Sequence, residues 1–464
     1  MTSLAASLGP GGALTPEEAP RYLEEPRGRY AGRAAMIARP ADAASVAALI
    51  RACAEARVGV VPWGGGTGLV AGQTALSGPR PILLSLERMQ AIRGVSAEEN
   101  ALVAEAGATL QAVQEAAAQA GRLFPLSLAS EGSCRIGGNL ATNAGGVAVL
   151  RYGNARDLCL GLEAVLPDGS LYAGLTSLRK DNTGYDLRHL LIGSEGTLGV
   201  ITAASLKLFA APAERVTAMV ALPSAEAGVA LLRRLQDALG ETISAFELIS
   251  EQSFHFLSEA EIEHVRAPFD PAPPFAALIE IGAAGGSSAR PAFEEALAGA
   301  LEAALALDAV LAESEAQRGA LWRLREEIPS ANRRIGAVAS HDIALPISAV
   351  PAFMKEAEAA IRGFDPRLRV NAFGHLGDGN LHYNLFPPKG VSRSEFDDSR
   401  AAASRIVHDL THAHAGSISA EHGIGRLKAD DLARYGDPAK LSAMRAIKQA
   451  LDPLGVMNPG ALGV

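Results

Sequence analysis

Cysteine is nearly absent: Cys53, Cys134 and Cys159 are the only three in 464 residues, and no two form a Cys-x-x-Cys pair. That excludes a disulfide framework and a cysteine-built zinc site, and it fits a reducing compartment. Basic runs are absent too. The 42 Lys and Arg are spread along the chain against 51 Asp and Glu, a formal net charge of −9, which argues against a nucleic-acid or anionic-membrane surface. No stretch approaches the ~18 uninterrupted apolar residues of a membrane helix. The first 20 residues lack a basic start and are broken by Gly9, Pro10, Gly11 and Gly12, so they do not read as a secretory signal, and a cytoplasmic protein is expected. What is present is a globular composition, 48% hydrophobic and 20% charged, in a chain long enough for two or three domains.

Glycine carries most of the information. Its 48 copies cluster in the first half, at Gly64-Gly65-Gly66-Thr67-Gly68, Gly137-Gly138-Asn139, Gly145-Gly146 and Gly193-Ser194-Glu195-Gly196. Between them lie short apolar runs and two helical stretches, Ala43 to Arg57 after the N-cap Asp42 and Thr109 to Ala120 before Gly121. Consecutive glycines after an apolar strand let backbone N–H groups wrap an anion closely. The loop after Val58 to Trp63 is neither a Walker A, since no Lys-Ser/Thr follows, nor a Rossmann fingerprint. Taken alone it fits a plain turn equally well. A second polar glycine loop, Gly132 to Asn139, points to an extended ligand touched at several places, such as a dinucleotide.

Past Pro212 the pattern changes to strand–helix units: Val216 to Leu222, Ser224 to Leu239, Ile243 to Ile249, Phe275 to Ile281, then an Ala-rich helix to about Leu307. This predicts a second layered unit of α/β type with one helical face. Helices dominate from Phe396, with Gly416 to Gly425 as a loop between them.

Val61-Pro62-Trp63-Gly64-Gly65-Gly66-Thr67-Gly68-Leu69, then Gly132 through Gly146, Arg151 to Asn154 and Ile192 to Gly199, resemble the ordered loops of the vanillyl-alcohol-oxidase-type flavoproteins. The nearest likeness is to the branch holding D-2-hydroxyglutarate dehydrogenase, D-lactate dehydrogenase and the glycolate oxidase flavin subunit. The resemblance runs from about residue 36 to the C-terminus. It implies an α+β protein: a two-subdomain FAD-binding domain (1–212), an α/β cap with the substrate site (213–405), and a C-terminal helical segment (406–464) returning to the flavin. Implied FAD contacts in the first loop are Pro62, Gly64, Gly65, Gly66, Thr67, Gly68, Leu69 and Gly72. In the second they are Gly132, Ser133, Gly137, Gly138, Asn139 and Thr142, then Asn143, Gly145, Gly146 and Tyr152. Glu195, Gly196, Gly199, Ile201 and Asn458 complete the set. No His or Cys lies between Gly59 and Gly132, where covalent relatives carry a linking residue, so dissociable FAD is expected.

Six of the ten histidines fall between 375 and 422. His375 and His382 flank a Gly377-Asp378-Gly379 turn, half of a divalent-metal site if a third ligand arrives from elsewhere, and Glu421-His422 in a Gly-rich loop offers one. A lone His beside a turn is more often a hydrogen-bonded surface residue than a ligand; the pair together with Glu421-His422 favours ligation. The resemblance implies His375, His382 and Glu421 as ligands, Zn²⁺ first with Mn²⁺ and Co²⁺ as alternatives, and His422 as base. His408, His412 and His414 are read as solvent-facing or packed. The segment Leu321 to Glu326 matches the one whose Arg holds the substrate carboxylate, at Arg325; Asn384 and Ser340 are the other implied substrate residues.

Two positions depart from the family. Members acting on D-2-hydroxyglutarate carry a Lys where this chain has Ser340 and a Thr where it has Pro329. A second buried carboxylate without a cation costs several kcal/mol, so a monocarboxylic D-2-hydroxy acid, D-lactate the simplest, is expected. A register shift of one would put His341 in place of Ser340. The expected activity is FAD- and metal-dependent oxidation of that acid to the 2-oxo acid. The alternatives are a D-2-hydroxyglutarate dehydrogenase with a rebuilt distal contact, or a non-catalytic flavin subunit of a multi-protein oxidoreductase. Electron-transfer flavoprotein or a quinone is the expected acceptor, and a homodimer the default assembly.

Overall fold

Asp42 starts the first long helix, Ala43–Ala56, by accepting the Ser45 N–H at 2.7 Å, and Arg57 ends it in the left-handed region at φ 51°. Val46, Leu49, Ile50 and Cys53 form its buried stripe, the i, i+3, i+4, i+7 spacing of a helix with one apolar face. The chain then turns directly into the buried strand Val60–Trp63, so the first glycine loop leaves the end of a sheet. The computed structural model describes every residue except 1–4, 7, 27, 29, 284, 286 and 287.

Two units are distinguished by their internal contacts. The first comprises residues 1–146, 153–211 and 421–464; the second comprises 147–152 and 212–420. The first holds a four-stranded sheet in the order Ala13–Leu14, Met36–Ala38, Ile82–Ser85, Val60–Trp63, parallel in its last two pairs. Its other main sheet runs Ile92–Ser96, Ala101–Glu105, Val200–Lys207, Cys159–Val165, Leu171–Gly174, with every pair antiparallel.

The second unit is built on a seven-stranded sheet: Asp308–Leu311, Glu214–Leu222, Phe275–Ala283, Ile243–Ser250, Arg369–His375, Asn380–Phe386, Ala339–Ala344. Strand–helix alternation is present as expected, but all of its pairings are antiparallel. One face packs against helices Ala225–Leu239, Arg290–Glu302, Val350–Phe364 and Arg400–Ala413. The other packs against Glu251–Glu259 and Glu315–Ile335. The segment expected from 406 divides, because Ala403 and Val407 bury helix Arg400–Ala413 in the core of the second unit; only 421–464 belong with the first. Among the described residues no helix is long and apolar enough to cross a membrane.

Candidate active site

The two glycine loops of the first unit meet so closely that side chains are excluded between them. A Cβ on Gly65 would stand 2.1 Å from the Ser133 carbonyl oxygen, and one on Gly66, where φ is +73°, 2.7 Å from the Trp63 ring. Beside them lies a cavity of about 1040 Å³, space open to solvent included. Pro62, Gly64 to Gly68 and Gly72 line it from the first loop. Gly137, Gly138, Asn139 and Thr142 line it from the second, and Glu195, Gly196, Gly199, Ile201 and Asn458 from the remainder of the unit. The buried Asn139 Nδ2, Trp63 Nε1 and Arg135 Nε have no hydrogen-bond partner among the described residues, and all three residues line the cavity. Orphaned donors around a glycine-lined space fit a polyanionic dinucleotide, which supplies the acceptors they lack.

The lining does not include every expected flavin residue. Leu69, Gly132, Ser133 and Asn143 are not among the lining residues, and Tyr152 lies in the 147–152 segment of the second unit. Gly145 and Gly146 lie against Glu421: Gly146 N–H donates to Glu421 Oε1 at 2.7 Å, and a Cβ on Gly145 would come 2.8 Å from that oxygen. Cys134, next to the second loop, is buried, and burial pushes its thiol up.

His422 lines the same cavity as the glycine loops. Its loop is braced by Glu195, whose carboxylate accepts the N–H groups of Ile424 and Gly425, each at 2.7 Å. Arg426 donates to the carbonyls of Ala71 and Gly72 and to Asn458 Oδ1, and Asn458 Nδ2 donates to the Glu195 carbonyl. The Asn458 turn is in turn held by a buried Lys448–Asp452 pair: Lys448 donates to the Thr197 and Met457 carbonyls while Asp452 accepts from Val456 and Met457.

In the second unit, strand pairing decides the register around Ser340. Ser340 pairs with Asn384 and Asp342 with His382, so these four share one face of the sheet. His341 points to the other face, its Nδ1 at 2.7 Å from the Tyr383 carbonyl and its ring edge-on to the buried His408. His375 and His382 stand together, ring centroids 5.6 Å apart, with His382 Nδ1 3.8 Å from Asp342.

Glu247 is the residue that the sequence did not reveal. Fully buried on strand Ile243–Ser250, it accepts from Arg325 Nε at 2.7 Å and lies 2.5 Å from His375 Nδ1. Burial pushes its carboxyl up, but the charges of His375 and Arg325 and their hydrogen bonds outweigh that and hold it at about 2. The approach of His375 Nδ1 to the Glu247 carboxyl puts Nδ1 in the donor role, and Nε2 is then the atom that could ligate an ion. Arg325 stacks over Phe373 at 4.8 Å, and its Nη groups make no hydrogen bond among the described residues. These donors suit a bidentate carboxylate, and the paired imidazoles suit a divalent ion.

Residues 34–173 match the family described as FAD binding domain, and 211–462 the family described as FAD linked oxidases, C-terminal domain. The chain is 37% identical over 453 residues to the D-2-hydroxyglutarate dehydrogenase of Xanthomonas citri pv. viticola, covering 96% of this chain and 93% of that one. It is 38% identical over 462 residues to the mitochondrial D-2-hydroxyglutarate dehydrogenase of Bos taurus, covering 97% and 81%. Among solved structures, p-cresol methylhydroxylase with substrate bound aligns at a TM-score of 0.78 and 16% identity, covering 100% of this chain and 96% of that one. An alkyldihydroxyacetonephosphate synthase aligns at 0.72 and 17%, covering 99% and 84%. These structural likenesses are of fold, and they bear out the vanillyl-alcohol-oxidase-type architecture.

Proposed function

The chain belongs to the FAD-linked oxidases, as an FAD-dependent dehydrogenase of D-2-hydroxy acids, and on that premise we propose that its substrate is a monocarboxylic D-2-hydroxy acid, D-lactate being the simplest. We further propose that FAD is held without a covalent link, that a divalent ion is required, with His375, His382 and Glu421 as its ligands, and that His422 is the general base. The observation that carries the base assignment is the presence of His422 on the wall of the glycine-lined cavity.

Arg325 would hold the substrate carboxylate through its Nη groups, fixing C2 and its hydroxyl in one orientation. His422 takes the hydroxyl proton. FAD held in the glycine-lined cavity would supply the acceptor for the C2 hydride, so that the 2-oxo acid is the product. A divalent ion, when bound, supplies the Lewis acidity that makes that hydroxyl easier to ionise.

The preference for one carboxylate rests on the sheet face around Ser340. No Lys stands there; Arg369, on the strand Arg369–His375, is paired with Glu259, and Arg318, on the helix packed against the sheet, with Glu280. A second reading, D-2-hydroxyglutarate itself, is favoured by the printed names of relatives 35–38% identical over nearly the full chain. Anaerobic bleaching of the flavin by D-lactate, D-2-hydroxyglutarate, D-malate and glycolate separates the two. Faster bleaching by D-lactate than by D-2-hydroxyglutarate is expected, and the reverse order refutes the monoacid reading. Acid precipitation should release the flavin, and chelation should stop turnover with FAD still bound; flavin retained in the pellet, or undiminished turnover without metal, overturns the corresponding part.

A further inference from the structure

Glu247 has no place in the chemistry above, yet it is the most deeply buried acid on the polar sheet face, with 0% of its surface exposed. Its two oxygens are divided between two residues of different function. One faces His375 Nδ1 at 2.5 Å and the other accepts from Arg325 Nε at 2.7 Å. The three residues come from separate elements: the strand Ile243–Ser250, the neighbouring antiparallel strand Arg369–His375, where Glu247 is the cross-strand partner of His375, and the helix Glu315–Ile335. The carboxylate therefore ties helix to sheet at the point where both carry a functional side chain.

We propose that Glu247 is a positioning residue that sets the metal ligand His375 and the carboxylate anchor Arg325 at once, so that metal affinity and substrate affinity are coupled through one side chain. The proposal rests on the roles given above to His375 and Arg325. Holding the proton on His375 Nδ1 leaves Nε2 as the lone-pair donor, the outer-shell arrangement that orients a ligating imidazole. Holding Arg325 by Nε alone, with the guanidinium over the Phe373 ring, leaves both Nη groups to donate to a carboxylate.

An amide at this position cannot serve both neighbours. In Glu247→Gln the single carbonyl oxygen accepts from one, and the NH₂ meets a donor on the other. Facing His375, it favours the tautomer whose Nδ1 accepts and whose Nε2 is protonated and unable to ligate. Facing Arg325, it turns the guanidinium away. Glu280 is the matched control. It lies on the same sheet face, accepting from Arg318, Trp322 and Thr217, and touches neither His375 nor Arg325 in any recorded hydrogen bond.

The test uses the full-length FAD-loaded protein, stripped with chelator and titrated with Zn²⁺, followed by steady-state kinetics at saturating Zn²⁺ with the best acid of the panel. Glu247→Gln should weaken Zn²⁺ binding about 10- to 100-fold, or raise KM severalfold with kcat less affected, while FAD content stays at the wild-type level. Glu280→Gln should change neither Zn²⁺ binding nor KM. Wild-type Zn²⁺ binding and KM in Glu247→Gln overturn the proposal, as do equal losses in Glu280→Gln, which would make the effect general loosening of the sheet. A wild type that takes up no Zn²⁺ overturns the metal reading itself and the inference with it. If Glu247→Gln is recovered without FAD, Glu247→Asp replaces it: the charge is kept but the reach shortened, and weaker Zn²⁺ binding or a raised KM is again expected, with the absence of both again decisive.

Discussion

Replacing Gly65 with alanine tests whether the two glycine loops hold the flavin by their mutual closeness. The added Cβ would lie 2.1 Å from the Ser133 carbonyl oxygen and 2.9 Å from Cys134 Cα. A carbon–oxygen contact normally sits at about 3.3 Å or more, so the loops must separate by about 1 Å. Both clashing atoms are backbone, and no flexible side chain can swing aside. Overpacking of this kind costs ~1–3 kcal/mol, and at ~1.4 kcal/mol per tenfold that is about a five- to hundredfold weaker FAD complex. The control is Gly132→Ala in the same loop system, whose Cβ would meet only the end of the Gln111 side chain, at 3.2 Å. Titration of apoprotein with FAD, followed by flavin fluorescence, gives both affinities. A Gly65→Ala protein that binds FAD as tightly as wild type, or a Gly132→Ala protein that is weakened equally, refutes the reasoning.

His422→Ala should retain FAD and lose the general base, a fall of ~10²–10⁴-fold in the rate of flavin reduction; retained activity measured by stopped flow would remove it from the mechanism. Ser340→Lys should shift kcat/KM toward D-2-hydroxyglutarate relative to D-lactate by roughly ten- to a hundredfold, the worth of a charge-assisted hydrogen bond, and an unchanged ratio would detach Ser340 from specificity. Asp42→Ala removes a helix N-cap and should cost ~1 kcal/mol in urea unfolding at neutral pH. The Ser45 hydrogen bonds hold the Asp42 carboxyl below its usual value. Its contribution is therefore present above the unfolded pKa and fades as pH falls through the lower folded one, so mutant and wild type should converge in acid.

The glycine loops were legible because few uses of clustered glycine require both a sharp turn and close backbone approach, and the structure shows the close approach at Gly65 and the positive φ at Gly66. What clustered glycine does not tell is which anion it serves. Gly145 and Gly146 read as flavin contacts, and the structure sets the Glu421 carboxyl against them. Glu247 left no mark because a single acid in Ile243-Ser244-Ala245-Phe246-Glu247-Leu248-Ile249 looks like the polar tooth of an alternating strand, and its partners are far away in sequence. The register of Ser340 was undecidable for a related reason: adjacent strand residues face opposite ways, and only the pairing with Asn384 selects between Ser340 and His341. Residues 147–152 could not be assigned to the second unit at all, since that excursion depends on Arg151 reaching the carbonyl of Gly282.

The Asn458 turn has a bearing on how the enzyme is made. Val60, at the start of the strand that leads into the first glycine loop, donates its N–H to Val456 and accepts from Asn458, both at 2.7 Å. Its partners thus leave the ribosome only after the continuous stretch 212–420 of the second unit has emerged. Units of this size fold as they become complete, so the second unit can fold during translation while the flavin cavity, with Asn458 in its wall, stays unfinished. The first glycine loop then waits, while the second unit folds, for the Asn458 turn far downstream in the chain.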